Sequence, residues 1–217
     1  MRKANNILEK DVKDEMSWDP GLDDTQISVK ADDGHVTLTG AVPSYVELLE
    51  ASDAAWSVKG VISVDNELLV GPIGEALVDA DVASRCMDAL DRDRFVPKGA
   101  VTVDVANGWV TLSGHVRHHF QRQAAKFAVQ RVQGIRGISD NITISSEPIP
   151  SDVAQRISAA LDRKAVLDDS VIQVTNDGST IYLDGTTDSY VAVETAEDTA
   201  WTAPGVTNVV DRLVIVP

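Results

Sequence analysis

Apolar and polar positions recur along this chain with a period of about seventy residues, and the recurrence predicts its organisation. In residues 34–42, GHVTLTGAV, and 108–116, GWVTLSGHV, the glycine completes an Asp-Gly or Asn-Gly pair. Such a pair supplies the positive φ angles of a tight hairpin turn. The residues after it alternate apolar and polar, as a half-buried strand does. Residues 178–186, GSTIYLDGT, repeat the pattern with one extra turn residue. Each of these strands ends on a glycine, Gly40, Gly114 or Gly185. A further glycine follows at +20 (Gly60, Gly134, Gly205), and Asn66, Asp140 or Asp211 at +26.

The flanking segments keep the same order. Leu8, Val12 and Met16 match Val82, Cys86 and Leu90, and Val153, Ile157 and Leu161. Spacing of four places each set on one helical face. Asp79 or Asp81 and Ser151 are the expected N-caps of the second and third of these helices. A loop with an apolar plug follows (Leu22, Val96, Leu167), then a first strand at 27–31, 101–105 and 171–175. After the hairpin a second helix begins near Ser44, His118 and Ser189, and Ser44 with Glu47 fits a capping box. Small residues Ala51 and Ala55, Ala125 and Val129, and Ala196 and Ala200 let that helix lie close on the sheet. A third strand closes each copy at 64–70, 138–144 and 209–216. The pattern predicts an α+β protein of three tandem αββαβ modules at 1–70, 79–146 and 151–217. Each has a three-stranded sheet with two helices packed on it. The linkers are 71–78 and 146–150, the second short and stiff because of Pro148 and Pro150. Modules this small are marginal alone, so they are expected to pack on one another.

Charge changes this picture. The formal net charge is -15, but it is unevenly spread. Residues 1–70 carry six basic and fourteen acidic side chains, 71–146 nine and eight, and 147–217 four and twelve. Two acidic modules flank a slightly basic one. The acidic total argues against nucleic acid as a general partner, because duplex binding rests on cationic neutralisation of phosphates. One cysteine, Cys86, cannot form an internal disulfide, so no oxidising compartment is implied. There is no transmembrane stretch of eighteen apolar residues. The basic N-terminal start is not followed by the apolar run of a signal peptide. As written the chain reads as cytoplasmic, or periplasmic if an export signal has been removed.

The three copies resemble BON modules, small bacterial domains of this element order. They share a glycine after the second strand and a Gly-Val-x-x-Val-x-Asn-x-Leu run at the end of the second helix. That run stands at Gly60-Val61-Ile62-Ser63-Val64-Asp65-Asn66-Glu67-Leu68 and recurs around 134–142 and 205–213. The resemblance implies an osmotic-stress or envelope-associated protein of the transport-associated type, attached to phospholipid, with no catalytic activity and no cofactor. Asp140 and Asp211 stand where the family favours Asn.

Candidate chemistry concentrates in the middle copy. His118, His119, Arg122 and Lys126 lie at the start of and along its second helix, the last three sharing a face by i, i+3 and i+4 spacing. This face is expected to bind an anionic surface, either phospholipid headgroups or an acidic protein. The alternative is a solvated face that pairs with acidic neighbours in the same molecule. A different reading makes the chain a cytosolic interaction scaffold using its acidic outer modules. His115 and His119 have a zinc-compatible spacing, but no further ligand is placed with them, so no metal is expected. Cys86 reads as a small apolar filler without a neighbouring base. No catalytic group of residues stands out, and the chain is not read as an enzyme. Trp56 and Trp201 occupy equivalent positions, where the middle copy has Gln130. With Trp109 they are expected to pack one module on the next.

Overall fold

A computed structural model of the chain describes residues 3–71, 77–145 and 149–216. The first module runs α1 (Asn5–Trp18), β1 (Ile27–Asp32), β2 (His35–Val42), α2 (Tyr45–Ser57) and β3 (Ser63–Val70). The second runs α3 (Asp79–Arg92), β4 (Val101–Ala106), β5 (Trp109–Val116), α4 (His119–Gln130) and β6 (Gly137–Ile144). The third runs α5 (Val153–Leu161), β7 (Val171–Asp177), β8 (Thr180–Thr187), α6 (Tyr190–Trp201) and β9 (Asn208–Ile215). In each module the second strand of the hairpin is central, antiparallel to the first and parallel to the third. A parallel pair needs a crossover, and the second helix supplies it.

Both helices cover one face of the sheet, and each module closes its own core. Val36 and Leu38, Val110 and Leu112, and Ile181 and Leu183 are almost wholly buried under the helical rows predicted above. Each such side chain contributes about 1.5–3 kcal/mol of transfer free energy. Ala51 and Ala55, Ala125, and Ala196 and Ala200 of the second helices are fully buried, which brings helix and sheet into close contact.

The central strands do not end on their glycines but run two residues further, to Val42, Val116 and Thr187, paired there with the third strand; the glycines have a steric cause instead. At Gly40, Gly114 and Gly185 φ is +128°, +143° and +143°. A Cβ there would overlap the carbonyl oxygen of Gln26, Ala100 or Val171, where the first strand begins.

Three local expectations are corrected. Asp79 does not cap α3, whose N-cap is Val78. Its carboxylate instead accepts from the backbone N–H groups of Asn107 (2.8 Å) and Gly108 (2.9 Å), tying the helix start to the β4–β5 turn. Ser151 does not cap α5, which starts after Asp152. The third hairpin has no extra turn residue. Its turn is Gly178-Ser179, and the additional residue lengthens β7 to Asp177. Residues 72–76 and 146–148 of the two linkers lie outside the described residues.

Candidate functional site

The first residue of each second helix is Tyr45, His119 or Tyr190, and each side chain reaches out of its own module. Tyr45 packs against the core of the middle module, its hydroxyl meeting the Ile138 backbone, and burial raises its pKa. His119 stacks on Trp201 of the third module, with ring centroids 4.0 Å apart and an interplanar angle of 11°. Tyr190 stacks on Trp56 of the first module at 4.1 Å and 16°. First meets second, second meets third and third meets first. Three quasi-equivalent contacts therefore close the modules into a ring, each using the start of one second helix. In two of the three, the partner is the tryptophan at the end of the next module's second helix.

This closure decides the fate of the predicted anion-binding face. His119 is not available to an anion: both ring nitrogens are buried without a hydrogen-bond partner. Burial first, and the Arg122 charge next, pull its pKa down to about 4. Arg122 is engaged as well, its Nε donating to Asp140 at 2.7 Å, with the two side chains 27% and 13% exposed. Lys126 is half-buried, and only His118 remains well exposed. His119 is thus buried between modules, and Arg122 is paired within its own. Trp56 and Trp201 take part in the ring. Trp109 lies across its own sheet, where its ring covers Gly137 and its Nε1 donates to Ser139 at 2.8 Å.

The +26 position ties the third strand to the second helix. In the first module Asn66 donates to the Leu48 carbonyl at 3.0 Å and accepts from Leu68 N–H at 3.0 Å. In the second, Asp140 keeps the strand bond, to Ile142 N–H at 3.1 Å, and replaces the helix bond by its ion pair with Arg122. Arg122→Ala leaves Asp140 largely buried and unpaired. It should cost ~1–3 kcal/mol, read by urea denaturation, whereas Arg122→Ala combined with Asp140→Asn should recover most of the loss.

The sequence reading missed a patch that the fold assembles beside His118. Phe95, in the loop before β4, meets Phe120 edge-on at 6.1 Å. His118 stacks on Phe120 at 5.5 Å, and the Arg94 guanidinium lies 4.5 Å over Phe95. Both phenylalanines are about half exposed. Lys98 and Arg117 are exposed on the same two segments. Phe95 and Phe120 are 25 residues apart in sequence and join only in the folded module.

Acidic side chains crowd α6 of the third module. Glu194 and Glu197 have carboxyls raised first by burial and then by like charges: Asp53 and Asp198 around Glu194, Asp211 and Asp198 around Glu197. Tyr190 is pushed up to about 12 by burial and by the two glutamates. Burial lifts the Cys86 thiol to about 11, opposite to what a nucleophile needs. Among the described residues, no group of three or more His, Cys, Asp or Glu is placed to hold a metal ion. Nor is any helix among them long and apolar enough to cross a membrane.

These features define a three-module α+β repeat protein. The BON domain profile matches residues 4–72, 78–146 and 151–217, and the chain belongs to the BON-domain family. It is 31% identical over 152 residues to osmotically-inducible protein Y of Escherichia coli (strain K12), covering 65% of this chain and 76% of that one. Two solved structures of CdsD, a structural protein of the type III secretion system of Chlamydia trachomatis, also align. One does so over 97% of this chain and 93% of its own, at 15% identity and a TM-score of 0.27. The other, its C-terminal domain, covers 99% and 100% at 14% identity with the same score. Likeness at that level does not bear on function.

Proposed function

We propose that this chain is a non-enzymatic, stress-related binding protein that attaches to an anionic phospholipid surface through its middle module. The stress assignment follows the osmotically inducible relative, and the absence of catalysis follows the family. The observation that carries the attachment is the patch of Arg94, Phe95, Lys98, Arg117, His118 and Phe120. Half-exposed aromatic rings sit well at the level of lipid headgroups, and the cations around them meet the phosphates. Uneven charge supports the same orientation. The outer modules carry eight more acids than bases each and are repelled by an anionic leaflet, while the middle module is not.

The test is co-sedimentation with vesicles of phosphatidylglycerol or phosphatidylcholine. Binding is expected to the anionic vesicles alone and to weaken with added salt. Each cation near the surface is worth about 1 kcal/mol, so Arg94→Glu with Arg117→Glu should reduce binding at least ~30-fold. Phe95→Ser should weaken it several-fold. Failure of the unmodified chain to sediment with anionic vesicles, together with capture of a protein partner in their absence, would favour a scaffold using the acidic outer modules.

A further inference from the structure

The ring closure that buries His119 also opens a cleft beside it. Between the start of α4 and the end of α6 lies a space of about 640 Å³, walled by Phe120, Trp201, Pro204 and Val206. Arg117 and His118 line it from the middle module and Asp198 from the third. We infer that this cleft binds a small amphipathic carboxylate, its apolar body against Phe120, Trp201 and Pro204 and its anionic end on Arg117 and His118.

Two observations support that occupant. The volume falls in the range that encloses one small ligand, and mostly apolar walls with a few polar groups are what such sites present. Asp198 repels a carboxylate, which fixes the ligand's polarity: its charge belongs with Arg117 and His118. The second observation comes from comparing the copies. Counted from the glycine of the central strand, Arg117, His118 and Phe120 correspond to Pro43, Ser44 and Val46 in the first module and to Asp188, Ser189 and Val191 in the third. The corresponding contact between the first and second modules also leaves a cleft, of about 500 Å³, but Pro43, Ser44 and Val46 line it. The middle copy alone combines two cationic-type side chains with a large apolar one at these positions.

The inference goes beyond membrane attachment and does not need it. Arg117, His118 and Phe120 belong to both surfaces, but Arg94, Phe95 and Lys98 do not line the cleft.

The experiment is calorimetric titration of the intact chain with decanoate held below its micellar concentration, alongside decanol and decylammonium. Decanoate is expected to bind at one saturable site. Loss of a charge-assisted contact costs about tenfold or more, so decanol should bind about tenfold more weakly and decylammonium not at all. Gln123 lines the cleft from the exposed side of α4. Gln123→Phe should therefore fill the cleft and reduce decanoate binding about tenfold or more, with circular dichroism unchanged. Arg117→Glu should reverse the preference towards decylammonium. Phe95→Ser should weaken vesicle binding and leave decanoate binding intact, which separates the two readings. No saturable binding of decanoate, or binding that Gln123→Phe and Arg117→Glu leave unchanged, overturns the inference.

Discussion

Gly114→Val should unfold the middle module at room temperature, or leave it at least ~4 kcal/mol less stable. Two costs combine at this residue. Its φ of +143° is one that a β-branched side chain rarely adopts. Any Cβ would also overlap the Ala100 carbonyl oxygen, which accepts from His115 N–H at 3.1 Å. Backbone that begins a strand cannot step aside without breaking the β4–β5 ladder. Gly99 separates the two costs. Its φ is +73° and a Cβ added there would meet no atom within 4 Å, so Gly99→Ala should cost only the conformational strain, ~1 kcal/mol. Gly71→Ala, where φ is not positive and the nearest atom is the Val42 carbonyl at 3.8 Å, should change stability by less than ~0.5 kcal/mol. Urea denaturation of the three variants reads the series. Equal losses at Gly99 and Gly114 would mean that strain alone makes glycine necessary at this place in the central strand.

That glycine also shows what the sequence could carry. Its spacing from the turn is a local pattern, repeated three times, but it does not mark the end of the strand, which runs on to Val116 against β6. The reason for it is a carbonyl fourteen residues earlier in the middle copy, which only the hairpin brings close. The helical rows and hairpin alternation were legible for the same reason as the glycine spacing: period and turn chemistry act within a few residues. Where several partners compete for one group, local rules chose wrongly. Asp79 stands where a cap is expected, but the turn N–H groups of Asn107 and Gly108, presented by the folded hairpin, hold its carboxylate. His119 sits on an outward helical position of its own module, and periodicity there cannot distinguish solvent from a neighbouring module. Phe95 stands in a loop and Phe120 one residue from His119, so neither belonged to any periodic face.

Closure of the ring explains why tryptophan stands at the end of the second helix in the outer copies and not at that place in the middle one. Trp201 receives His119 and Trp56 receives Tyr190. The corresponding place in the middle module is Gln130, and there Tyr45 finds its support in the β6 backbone and the adjoining core instead. Each contact is of the head-to-tail type, in which the two surfaces differ, and such contacts form a ring only when the rotation between neighbours closes. A chain with three copies satisfies that condition internally. The surfaces left outward are therefore free to diverge, and the charge of the middle copy is the largest divergence.

Acidification should loosen the contact between the middle and third modules, and His119→Phe should remove that effect. Burial, followed by the charge of Arg122, lowers the His119 pKa to about 4 from the ordinary 6.5. The folded state thus favours the neutral ring. Its contribution is fully present above about pH 6.5 and is lost as the pH falls towards about 4. A shift of that size corresponds to ~3 kcal/mol, and solvent screening of a half-buried ring reduces it to ~1.5–2 kcal/mol. Glu194 and Glu197 act in the opposite sense. Their raised pKa values make the folded state favour protonation, so their contribution is greatest below the ordinary carboxylate pKa and is lost as the pH rises through the raised values. In the unmodified chain the two slopes oppose each other. His119→Phe keeps an aromatic ring to stack on Trp201 and removes the titration. Relative to the unmodified chain, its stability should rise by ~1.5–2 kcal/mol between about pH 7 and pH 4.5. Glu194→Gln with Glu197→Gln should do the reverse, leaving a chain that weakens steadily over the same range. Urea denaturation at several pH values compares the three. Parallel curves for His119→Phe and the unmodified chain would mean that the imidazole titrates as it does in water, and that the stack on Trp201 does not hold it neutral.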